Sequence, residues 1–165
     1  MKYKQNIPQV KNVGFNNNFH YQNKVGLDKA YASENATYIK DDTMFIAGTR
    51  NLRDVYDDIT KLPFGLTKYS DRYKQADDVL KDNPNVTKLV GHSLSSAVSD
   101  ELRKAHPDRN LEIKAMYGSP FVQTSGQKHE NRFRHQGDLV SMFDRGSKVV
   151  GGDMNPLNAH GYDNY

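Results

Sequence analysis

The chain has 165 residues, 36% of them hydrophobic, with a mean hydropathy of −0.85, a formal charge of +3 and no cysteine. That length suits one domain with a very polar surface, and the missing cysteine excludes a disulfide framework, a thiolate nucleophile and a cysteine-held zinc. Lysines and arginines are scattered, which argues against a nucleic-acid partner, and no apolar run has signal-peptide or membrane-spanning length, so a soluble chain is expected.

Residues 1–24, rich in Asn, Lys and Gln, read as an irregular N-terminal arm, and 25–165 as a single domain. "ATYIK" and "TMFIAGT" read as strands around an Asp41-Asp42 turn, because β-branched and aromatic residues flank a turn-forming pair. In "NLRDVYDDIT", Leu52, Val55, Tyr56 and Ile59 follow helical spacing. A second helix is expected from Thr67 to Asp82, with Tyr69, Tyr73, Ala76 and Leu80 on one face and Asn83-Pro84 ending it. Val86 to Val90 reads as a short buried strand. Leu94, Val98, Leu102 and Ala105 then stripe a helix that must stop before Pro107. "LEIKAMY" alternates as a strand, with weaker strand patterns in "NRFRH" and "SKVV". The order β-β-α-α-β-α-β-β-β predicts an α/β sheet covered on both faces.

The stretch "LVGHSLSSAV" places Ser93 between that strand and that helix. A serine hydroxyl becomes a nucleophile when it stands clear of the chain beside a base and beside donors for an oxyanion. A sharp strand-to-helix turn does this, but it forces the positions two before and two after the serine together, so both must be small. Here they are Gly91 and Ser95. A triad on such a sheet follows the order Ser, Asp, His. By order alone Asp138, Asp144 and Asp153 compete for the carboxylate, and His160 and His135 for the imidazole.

Several separate blocks resemble the class 3 lipases, the fungal-type group of the α/β-hydrolases. "MFIAGTRNLRDVYDDI" is similar to that family's strand, F-R-G-T turn and helix, and "PFGLTKY" to its V-H-x-G-F segment. "LVGHSLSSAVS" is similar to its G-H-S-L-G-G-A elbow, and "AMYGSPFV" to its F-G-S-P-R-V strand. "HQGDLVSMF" resembles its aspartate loop N-x-D-x-V-P, and "NAHGY" its histidine loop. The resemblance runs from about Thr37 onward. It implies an α/β-hydrolase fold with a mostly parallel mixed sheet and a minimal lid. It also implies Ser93 as nucleophile, His160 as general base and Asp138 as the carboxylate orienting it. The oxyanion donors it implies are the backbone N–H groups of Thr49 and Leu94. No cofactor or metal is implied. Four departures stand out: Ala47 for the turn's Arg, Ser95 for the elbow's second Gly, no histidine near Pro63 and Phe64, and Ser141 for the proline of the aspartate loop.

The expected substrate is a lipid or phospholipid ester, met by transient contact with a membrane surface. Only "TKLPFG" separates the first two predicted helices, too short for a helical lid, so the site is expected to lie open to water. Phe64, Leu66, Phe121 and Val122 are candidates for an apolar lip. Arg50, with Arg53, Arg132 and Arg134, is a candidate for contact with a phosphate head group. The departures also fit a lipase-like module kept for binding, and a small-substrate esterase or thioesterase would keep the site with a different pocket. The abundance of Asn, Lys and Asp fits an AT-rich genome such as a virus's.

Overall fold

The computed structural model describes residues 17–49, 71–119, 131–138, 141 and 147–152. Its strands form one six-stranded sheet in sequence order: β1 (Thr37–Lys40), β2 (Thr43–Ile46), β3 (Lys88–His92), β4 (Glu112–Tyr117), β5 (Arg132–Gln136) and β6 (Lys148–Gly152). β1 runs antiparallel to β2, and every later pair is parallel. The hairpin turns on Asp41, whose positive φ of 55° an aspartate tolerates better than most residues. The carbonyl of Asp42 accepts the N–H groups of Thr87 and Lys88, so the third strand begins its ladder at Lys88 rather than at Val86. It continues to His92, which pairs with Tyr117.

Among the described residues three helices cover the sheet: α1 (Asn17–Ala32), α2 (Asp71–Asp82) and α3 (Leu94–Ala105), with a 3-10 turn at Pro107–Arg109. Parallel strands laid down in sequence order, joined by right-handed crossovers, put their connecting helices on one face. There Ala76 and Leu80 of α2 and Val98 and Leu102 of α3 pack on Met44, Ile46, Leu89 and Met116. The opposite face is covered by α1, where Leu27 and Ala30 meet Phe45, Val90, Ala115 and Tyr117. Burying each of the larger side chains in these layers contributes roughly 1.5–3 kcal/mol. The strand alternation expected of "LEIKAMY" is broken once. Leu89 pairs with Ile113 but Val90 with Ala115, so Lys114 is an extra residue, and Ile113 and Ala115 join opposite layers.

One part of the arm read as irregular is helical: residues 17–24 form the first half of α1. The buried side of this helix carries His20, Asn23, Leu27 and Ala30, spaced for a helix but half polar, so an apolar stripe does not mark it. Those polar groups are used. The Tyr117 hydroxyl accepts from Asn23 Nδ2 at 3.0 Å and lies 2.9 Å from His20 Nδ1. Burial lowers the His20 pKa, which favours a neutral ring accepting the tyrosine proton. Residues 1–16, the helix expected in "NLRDVYDDIT", the segment "TKLPFG" and residues 67–70 of the next helix lie outside the described residues. Among the described residues no helix is long and apolar enough to cross a membrane.

Candidate active site

At the end of β3 the chain reverses sharply into α3, and Ser93 is the residue that bends, with φ 56° and ψ −129°. A side chain rarely adopts this backbone, which costs about 1–3 kcal/mol and persists only where its surroundings hold it. They do so from both sides. The Ser93 N–H donates to the Tyr117 carbonyl at 2.8 Å, and the Ser93 carbonyl accepts the N–H of Ser96 at 3.0 Å. A Cβ placed on Gly91 would lie 2.5 Å from the Ser95 carbonyl oxygen, so the position two before the serine must be glycine. A site open to water is the expectation from the short "TKLPFG" segment, and Ser93 itself is 1% exposed. The lid segment behind that expectation lies outside the described residues.

The end of β2 lies directly against this turn. A Cβ on Gly48 would meet the His92 carbonyl oxygen at 2.7 Å, the Tyr31 hydroxyl at 2.9 Å and Ser93 Cβ at 3.0 Å. Thr49, the next residue, is half-buried, and Leu94 is the first residue of α3. Both residues expected to offer oxyanion N–H groups therefore adjoin the serine turn, one through Gly48 and one along the chain. The N-terminus of α3 also favours negative charge there.

Three side chains grip the turn around Gly48. The Gly48 N–H donates to the Tyr31 hydroxyl at 3.0 Å, and that hydroxyl lies 2.6 Å from His92 Nδ1. Burial pushes the Tyr31 phenol up to about 12, against the opposing pull of the Gly48 N–H and the Arg72 charge, so it keeps its proton at neutral pH. The Ser95 hydroxyl donates to the Ala47 carbonyl. Arg72 Nη2 donates to the Gly48 carbonyl at 3.5 Å. Ser95 thus fills the place of the elbow's second glycine with a donor, which its small size alone did not reveal.

Asp138 follows β5, on the edge of the sheet where the parallel strands end, and is 1% exposed. Its carboxylate accepts from the Ser141 hydroxyl and from the Ser141 N–H at 3.4 Å. A proline at this position could supply neither donor, so the departure at Ser141 supports the buried charge. His135 lies within β5, buried, with its carbonyl accepting the Asp138 N–H at 3.3 Å. Arg132, buried, and Arg134, half-buried, flank Phe133 in the same strand and alternate to the sheet face opposite α1. His160, Asp144, Asp153, Arg50, Arg53, Phe64, Leu66, Phe121 and Val122 lie outside the described residues. Among the described residues no group of three or more His, Asp or Glu is arranged to hold a metal ion. Tyr31, Arg72 and the hydroxyls of Ser95 and Ser141 are the site's neighbours that motif reading missed. Comparison of the chain with protein-family models, curated proteins and solved structures finds no match.

Proposed function

We propose that the chain is a serine ester hydrolase of the α/β-hydrolase type, acting on the acyl esters of lipids or phospholipids. The observation that carries the reading is the backbone of Ser93: a non-glycine residue at φ 56° and ψ −129°, between a parallel strand and a helix, with Gly48 close against it and Gly91 close against the Ser95–Ser96 backbone that follows. Such strain, held from two sides at a strand end, is what a presented nucleophile requires and what a plain helix cap does not.

In this mechanism Ser93 Oγ adds to the ester carbonyl as its proton passes to the imidazole of His160. The carbonyl oxygen, now an anion, is held by the N–H groups of Thr49 and Leu94. Collapse breaks the bond to the alcohol, which leaves with the proton from His160, and acyl-Ser93 remains. Water then adds in the same way, its proton taken by His160. The carboxylic acid leaves and the Ser93 hydroxyl is restored. Asp138 holds the imidazole in the tautomer that accepts from serine. No cofactor enters the cycle.

A fluorophosphonate probe tests the reading, because it reacts only with an activated serine. Wild-type protein is expected to label and Ser93→Ala to remain unlabelled, with wild type alone releasing fatty acid from a panel of phospholipid and neutral acyl esters. An unlabelled wild type, or equal label on Ser93→Ala, leaves a lipid-binding module without catalysis. Turnover confined to short soluble esters or thioesters moves the substrate class and keeps the chemistry.

A further inference from the structure

We propose that Ser95, Tyr31 and Arg72 are positioning residues that hold the Gly48–Thr49 turn in its oxyanion-binding form, an inference that rests on Ser93 being a nucleophile. The turn contains two successive peptide groups, and each is held by a side chain from another element. In the Ala47–Gly48 peptide, the carbonyl accepts the Ser95 hydroxyl and the N–H donates to the Tyr31 hydroxyl at 3.0 Å. In the Gly48–Thr49 peptide, the carbonyl accepts from Arg72 at 3.5 Å. The N–H of that second peptide is the one assigned to the oxyanion.

A trans peptide is rigid and planar, with its carbonyl and N–H pointing in opposite directions. A cation on the Gly48 carbonyl therefore fixes where the Thr49 N–H aims, and by polarising the peptide makes that N–H a stronger donor. Tyr31 ties the same turn to the elbow, since its hydroxyl is also 2.6 Å from His92 Nδ1, one residue before Ser93. Ser95 ties it again from the first turn of α3. The three residues Ala47, Gly48 and Thr49 carry no long side chain. Bracing comes instead from α1, α2 and α3.

The sharpest consequence concerns Ser95→Gly, which restores the glycine usual at an elbow. If the hydroxyl is only tolerated for its size, this variant matches or exceeds wild type. If it holds the turn, kcat for p-nitrophenyl butyrate falls about tenfold with KM within twofold, because a displaced oxyanion donor weakens the transition state and not the bound ester. Affinity for an alkyl boronic acid, whose serine adduct carries the tetrahedral oxyanion, falls by the same factor. Arg72, half-buried, gives a second pair of variants should Ser95→Gly fold poorly. Arg72→Gln is expected to lose kcat and boronate affinity together, and Arg72→Lys to recover most of both. The proposal is overturned by a fully active Ser95→Gly with unchanged boronate affinity, or by Arg72→Gln indistinguishable from wild type. Those results with a wild type that labels with fluorophosphonate leave Ser93 as nucleophile. A wild type that neither labels nor turns over removes both readings.

Discussion

At the serine turn the tightest contact belongs to a glycine. A methyl group on Gly91 would sit 2.5 Å from the Ser95 carbonyl oxygen and 2.8 Å from the Ser96 nitrogen, both backbone atoms that cannot swing aside. Gly91→Ala must therefore push β3 and α3 apart, at a cost of about 1–3 kcal/mol for overpacking. The turn at Ser93 is the part that yields. Gly91→Ala is expected to lose fluorophosphonate labelling while keeping the far-ultraviolet circular dichroism of a folded chain. Undiminished labelling would show that the close approach is not needed. This much of the site was readable from sequence, because the requirement for small residues is written beside the serine. The grip on Gly48 was not. Tyr31 lies 17 residues before Gly48 and Arg72 24 after it, and nothing local marks either as a partner. In the sequence Ser141 stands out only as a missing proline, although it donates to Asp138.

Between α1 and the sheet the decisive contact is again a glycine. Gly26 stands in the middle of a helix, where alanine would normally favour helix formation by roughly 1 kcal/mol. Its absent side chain makes room for Phe45: a Cβ there would lie 2.3 Å from the ring. Gly26→Ala is thus expected to destabilise the protein by about 1–3 kcal/mol despite the better propensity. In a Phe45→Ala background the same change should turn neutral or favourable. Urea unfolding of the four proteins checks this, and an additive cycle would sink the packing argument. The helix itself escaped sequence reading for a physical reason. Its inner face spends two positions, His20 and Asn23, on hydrogen bonds to Tyr117 rather than on apolar packing. The helices of the other face, α2 and α3, carry apolar stripes and were legible, as were the strand segments, most of them to within a residue or two at their ends, although "TMFIAGT" runs three residues past the end of β2 at Ile46.

Across the whole molecule, two phenols buried against the sheet make stability sensitive to alkali. Burial drives the Tyr31 pKa up to about 12 and raises that of Tyr117 as well. A phenol whose folded pKa exceeds its unfolded value near 10 holds its proton longer in the native state. Its stabilising share is complete below pH 10 and is lost as pH rises through 10 toward 12. Among the described tyrosines these two are expected to ionise only as the chain unfolds, seen as a late, cooperative rise in tyrosinate absorbance. In Tyr31→Phe the urea midpoint should fall less steeply above pH 10 than in wild type. A smooth titration of all ten tyrosines with no coupled unfolding would contradict this.

The sheet grows by adding each described strand beside the one before it, never between two already joined. A nascent chain emerging from the ribosome can therefore dock its pieces in the order they are made. By residue 119 it holds α1, the serine turn and all three braces on Gly48, but not yet Asp138 or His160. Scaffold and strain come first, and the groups assigned to charge and proton transfer in the proposed mechanism arrive last, so an incomplete chain carries the bent serine without them.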